Sequence, residues 1–156
     1  MTHTELCKKA ASWLRNKLHC SVVLIDPNSF YTWRGETPDV IGWVNQKCIL
    51  VEVKVSRSDF LADKNKQFRC CPICKHSQDK ALGAWRFYVT APGVVLDTCE
   101  IPDGWGCYEL HGRSLKHLCG SVYANAQQAP FTGNRKSEVA ILLSEINRMK
   151  KKEPKQ

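Results

Sequence analysis

The run Cys48-Ile49-Leu50-Val51-Glu52-Val53-Lys54-Val55 is apolar except at two alternate positions, which carry opposite charges. Side chains alternate across a strand, so Ile49, Val51, Val53 and Val55 share one face while Leu50, Glu52 and Lys54 share the other. The preceding Asp39-Val40-Ile41-Gly42-Trp43-Val44 reads as a second strand, with Asn45-Gln46 as a two-residue reversal. With Val44 opposite Lys47, counting back along both arms sets Asp39 opposite Glu52, and cross-strand partners lie on one face. A four-residue loop from Val44 to Lys47 keeps that pairing, whereas an odd-numbered loop shifts it.

Two carboxylates facing each other repel unless a cation lies between them or one keeps its proton. Magnesium or manganese fits such a pair, because hard divalent ions take carboxylate oxygens, retain waters and activate one of them for attack on a phosphodiester. Lys54, on the same face, is placed to orient that water or to stabilise charge building on the phosphate. Asp39 and Glu52 are thus candidate metal ligands, and Asp39, Glu52 and Lys54 the candidate catalytic set. The competing reading of Glu-x-Lys is a solvated strand face with a weak ion pair.

At these residues the chain resembles the PD-(D/E)XK nuclease superfamily, with Pro38-Asp39 matching the first half of its signature and Glu52-Val53-Lys54 the second. The continuation from Ser56 to Lys64 is similar to the branch holding MmcB-like DNA repair proteins and small phage-encoded nuclease-like proteins. The likeness is specific over about residues 36–69, loosens through 85–93 and 101–106, and says little beyond about 112. It implies an α/β, restriction-endonuclease-like fold, a central mixed sheet flanked by helices. It also implies a magnesium- or manganese-dependent nuclease, endo- or exo-acting on DNA, in repair, recombination or phage-host conflict. The superfamily includes members that bind without cutting, so the alternative is an inactive nucleic-acid- or protein-binding adaptor.

The 156 residues suit one domain over 1–149 with a basic tail at 150–156. A formal charge of +8 favours polyanionic partners, DNA first and RNA as the alternative. The opening residues lack the apolar core of a signal peptide and no apolar run reaches membrane-spanning length, so the expectation is a soluble cytoplasmic protein, including one encoded by a phage in a bacterial host, with no membrane partner. Nine cysteines, an odd number, read as reduced thiols.

Residues 4–18 space Leu6, Ala10, Trp13, Leu14 and Leu18 as an amphipathic helix. Glu5 near its start is either an accessory metal ligand or a carboxylate favoured by the helix dipole. Residues 20–25 form a strand, and Tyr31, Trp33 and Arg34 precede the site as candidates for base stacking and phosphate contact. Ser56-Arg57-Ser58-Asp59 fits a capping box opening a helix to about Phe68, with Arg57, Lys64, Lys66 and Arg69 as a basic margin for phosphates. Asp59 and Asp63 are read as structural.

In the cysteine-rich loop at about 70–83, Cys71 and Cys74 have zinc-knuckle spacing and His76 is a third candidate ligand, one short of the usual four. Residues 85–90 and 106–110 read as further strands. Residues 137–149 space Val139, Leu142, Leu143, Ile146 and Met149 as a helix that packs on the domain or forms a homodimer interface.

Overall fold

In the computed structural model, which describes residues 1–28, 32, 35–66 and 81–152, helix α1 (His3–Asn16) precedes β1 (Val22–Ile25), β2 (Val40–Val44) and β3 (Lys47–Lys54). Helix α2 (Arg57–Lys64), β4 (Trp85–Thr90), β5 (Gly106–His111), β6 (Ser114–Gly120) and α3 (Arg135–Lys152) follow. The six strands form one open sheet in sequence order. β1, β2 and β3 run antiparallel, β3–β4 and β4–β5 are parallel, and β5–β6 is antiparallel. The fold is α/β: among the described residues, a mixed sheet flanked by three α-helices. Among the described residues no helix is long and apolar enough to cross a membrane.

Local signals account for most of the elements. Thr2 and Glu5 form a reciprocal capping box at α1, whose Leu6, Ala10, Trp13 and Leu14 are buried. They cover Val51, Val53, Phe87 and Val89 on one face of the sheet. The other face buries Leu50, Phe60, Leu82, Tyr88 and Ile141. β3 and β4, covered on both sides, are almost wholly buried, as central parallel strands are.

The β2–β3 register is the one expected, with Val44 paired to Lys47 and Val40 to Val51. Asn45 and Gln46 make the turn with φ of 46° and 63°, the positive pair that a two-residue I′ reversal demands. Asn45 Nδ2 also donates to Asn125 Oδ1 at 3.1 Å.

β6 was not expected, and α3 docks on the domain through a face other than its apolar stripe. β6 carried no clear strand pattern, and most of it is exposed on one edge of the sheet. α3 buries Glu138, Ile141 and Glu145, while Val139, Leu143, Ile146 and Met149 face outward. The physical reason is backbone satisfaction: Glu138 Oε1 accepts the Gly83 N–H at 3.0 Å and Glu145 Oε1 accepts the Asn28 N–H at 3.3 Å. The Gly83 amide is buried and would be costly unpaired, so the face that carries Glu138 and the buried Ile141 docks.

Because Gln46 holds a left-handed conformation that costs a side-chain-bearing residue roughly 1–2 kcal/mol, Gln46→Gly is expected to raise unfolding stability by up to about 1 kcal/mol after glycine's own entropy cost. Urea denaturation measures it, and a loss of stability would contradict this turn geometry.

Candidate functional site

The candidate residues gather where β2 begins and β3 ends. Asp39 directly precedes β2, and one further step of the observed register brings it across from Glu52. Its Oδ2 accepts the Val53 N–H at 2.7 Å, and its Oδ1 lies 3.4 Å from His3 Nε2 at the start of α1. Glu52 is 1% exposed and Lys54 4% exposed. Lys54 Nζ lies 3.5 Å from Glu52 Oε2, 3.2 Å from Asp63 Oδ1 and 3.9 Å from Asp59 Oδ1. Lys66 Nζ closes the cluster, 2.6 Å from Asp63 Oδ1 and 3.8 Å from Glu52 Oε2.

Counting these groups alone, four carboxylates face two ammonium groups, a surplus of two negative charges. Burial by itself pushes the Lys54 amine down, but Glu52, Asp63, Asp39 and Asp59 together outweigh it and hold the amine above its ordinary value. Lys54 is therefore a charged hydrogen-bond donor at neutral pH and not a free base.

Asp63 and Tyr88 belong to this cluster and were not singled out from sequence. Asp63 is 1% exposed, and the Tyr88 hydroxyl donates to its Oδ2 at 2.7 Å. A signal was available: Asp63 lies three residues beyond the buried Phe60, on the sheet-facing side of α2. Tyr88 pairs with Glu52 across β3–β4, which only the parallel register reveals. Glu36, a spare carboxylate by sequence, is a buried brace whose Oε2 accepts the Leu82 N–H at 2.7 Å.

Other expectations are corrected. Arg57, expected at phosphates, forks onto Glu100: its Nη1 donates to Glu100 Oε2 at 2.6 Å and to the Val94 carbonyl at 3.1 Å, and its Nη2 pairs with Glu100 Oε1. Its planar donors are committed to tying α2 to the β4–β5 connection. Glu5, the candidate accessory ligand, caps α1 instead, its Oε2 accepting the Thr2 N–H at 2.7 Å. At α2, Ser56 Oγ accepts the Asp59 N–H at 3.3 Å, while the Asp59 carboxylate turns toward Lys54, so only half of the expected capping box forms. The helix ends at Lys64, earlier than expected. Lys66 faces the acidic cluster. Arg34, Arg69, Cys71, Cys74, His76, Tyr31 and Trp33 lie outside the described residues, as does the Lys64 side chain.

Among the described residues no group of three or more His, Cys, Asp or Glu side chains is assembled to hold a metal ion. No protein-family model matches the chain, and no curated protein matches it. Among solved structures it is similar to SPO1766, a protein of unknown function from Silicibacter pomeroyi, with a TM-score of 0.57 and 17% identity over 97% of this chain and 88% of that one. At this identity the likeness is one of fold.

Removing the hydroxyl that serves a buried carboxylate, Tyr88→Phe is expected to destabilise the protein by about 1.5–3 kcal/mol without altering its circular dichroism. For Arg57–Glu100, the side-chain hydrogen bond from Arg57 lowers Glu100 from its ordinary 4.5 to about 2. A depressed carboxylate adds stability above its unfolded pKa that is lost as pH falls through the folded one. The stability difference between wild type and Arg57→Ala should therefore be largest above pH 4.5 and shrink on acidification toward about 2, leaving the share of the Val94 carbonyl bond, which does not titrate; urea melts at a series of pH values follow it.

Proposed function

We propose that this protein is a metal-dependent phosphodiester hydrolase acting on DNA, of the PD-(D/E)XK type, with Asp39 and Glu52 holding magnesium or manganese and Lys54 at the scissile phosphate. The observation that carries it is the β2–β3 register from Val44–Lys47 to Val40–Val51; its next step would pair Asp39 with Glu52, on the strand that also presents Lys54. The donor set fits the metal. Two carboxylates, completed by waters and substrate phosphate, are a common protein share for magnesium, which rarely takes an all-protein cage.

When bound, such an ion supplies Lewis acidity and a water of lowered pKa. The chain's own residues do the rest. The Val53 N–H fixes the Asp39 carboxylate by holding Oδ2, and burial at the strand end keeps Glu52 from rotating into solvent. Lys54, kept protonated by its carboxylate neighbours, offers N–H donors to a phosphoryl oxygen or to the attacking water and stabilises charge there. Asp63 and the Tyr88 hydroxyl that donates to it hold the ammonium in place. Repair, recombination or phage-host conflict are settings consistent with such an activity.

A second reading, a nuclease-fold adaptor that binds without cutting, is favoured by Lys66. Its ammonium lies against both Glu52 and Asp63, where a positive charge relieves the repulsion that a metal ion would otherwise relieve.

Single-stranded, duplex and branched DNA, and RNA, incubated with magnesium, manganese or EDTA, separate the two. Metal-dependent cleavage by wild type is expected, reduced by roughly 10²–10³ in Glu52→Gln and Lys54→Met. Cleavage equal in wild type and both variants would overturn the assigned residues, and binding without cleavage under every metal would leave the adaptor. Lys66→Ala is expected to lower the magnesium concentration needed for half-maximal cleavage; a higher requirement would mean that Lys66 assists the reaction rather than occupying the site.

A further inference from the structure

On the opposite face of the sheet from Glu52 and Lys54, α1 and the β5–β6 hairpin enclose a cavity of about 600 Å³. That volume is in the range of roughly 300–1,000 Å³ typical of small-ligand sites. Its inner surface is apolar: Trp13 and Tyr108 are each mostly buried, their ring centroids 4.5 Å apart, and Leu18 and Leu115 complete it. Lys8, Lys9 and Lys17 from α1 and Arg113 from the hairpin stand on the lining, and no Asp or Glu does. Among the described residues no salt bridge ties down these four cations, although Lys8 acts electrostatically on Glu5 one turn earlier. Ser12, Asn16 and Ser114 add hydrogen-bonding groups.

We propose that this cavity binds a nucleotide, either free or as the end of a nucleic-acid strand, with the base against the Trp13–Tyr108 floor and the phosphates among the four cations. Each part of the lining meets a different part of such a ligand. A planar heteroaromatic ring covers aromatic and aliphatic surface with little entropy cost, as in single-strand binding proteins. Ser12, Asn16 and Ser114 can satisfy base and sugar polar atoms, groups a fatty acyl chain lacks. Lysines and an arginine held in no salt bridge among the described residues answer phosphate charge at little internal cost. From Lys8 to Lys17 the α1 wall spans about 13 Å at 1.5 Å per residue, the length of one small ligand and short for a docked helix. The site is independent of the hydrolase reading, since it lies on the α1 face and shares no residue with the Asp39–Glu52–Lys54 cluster.

The test is equilibrium titration of the full chain, in EDTA so that no hydrolysis intervenes, following the ¹⁵N-resolved indole signal of Trp13. The probes are ATP, inorganic tripolyphosphate and an oligothymidylate of eight residues. Wild type is compared with Lys9→Ala/Arg113→Ala on the cavity and with Lys150→Ala/Lys151→Ala at the end of α3, which removes the same charge elsewhere. Saturable shifts with ATP or the oligonucleotide are expected, weakened roughly tenfold by the cavity variant and little by the α3 variant. Tripolyphosphate, lacking a base, should bind roughly tenfold more weakly than ATP. The tighter of ATP and the oligonucleotide identifies the free nucleotide or the strand end as the source. No saturable shift with either, equal weakening by both variants, or tripolyphosphate binding as tightly as ATP would each overturn the proposal.

Discussion

A strand buried on both faces has no room for a charge that its neighbours do not answer. β3 carries Glu52 and Lys54 there, and much of the surrounding structure answers them. Within 4 Å of Lys54 Nζ lie carboxylate oxygens from Glu52, Asp63 and Asp59. Isolated burial of any one of these ions would cost several kcal/mol, so removing one member exposes the rest to an unmet charge. α2 is held against the sheet by this requirement as well as by Phe60, and β4 supplies Tyr88 to complete Asp63's partners. The cluster is thus a folding constraint whether or not it also turns over substrate.

The same accounting governs the far side of that face. Arg86, fully buried on β4, donates through Nε to the Leu82 and Gly83 carbonyls at 2.9 and 3.1 Å and through Nη2 to the Ala81 carbonyl at 3.4 Å. Its guanidinium stacks 3.9 Å over the Phe131 ring. Glu36 and Glu138 take the Leu82 and Gly83 amides. The short segment leading into β4 is therefore satisfied by the neighbouring Arg86 and by two side chains from distant parts of the chain, Glu36 and Glu138, and α3 is oriented by that duty. Burial raises the Glu138 carboxyl above its ordinary range, which its bond from the Gly83 N–H only partly offsets.

Much of the fold was legible because its signals are local. Alternation marked β3 and β4, helical spacing marked α1, and the pair Asn45-Gln46 set a register that the coordinates reproduce. Asp39, Glu52 and Lys54 could be placed together because one turn length relates them. Tyr88 could not, since β4 joins the site only through the parallel pairing of Glu52 with Tyr88, which is not encoded in any short window; Asp63 and Lys66, read as a structural carboxylate and a phosphate contact, instead meet Lys54 and Glu52. Arg57 misled for a related reason: as a sequence position it is an exposed cation beside the site, and its fork onto Glu100 spans 43 residues.

α3 makes the division plain. Its helical period is written in the sequence, and so is the contrast between its apolar and charged faces. Which face docks was decided elsewhere, by the buried Gly83 amide that Glu138 pairs and by the pocket that takes Ile141. Sequence by itself determined most of the elements, β6 excepted, together with the β2–β3 register and the charges on β3, all of which follow from side-chain period and turn chemistry. Only the tertiary structure decided which charges meet, which cations are committed and which remain exposed around the α1 cavity, because pairing energies depend on burial and on contacts between residues far apart along the chain.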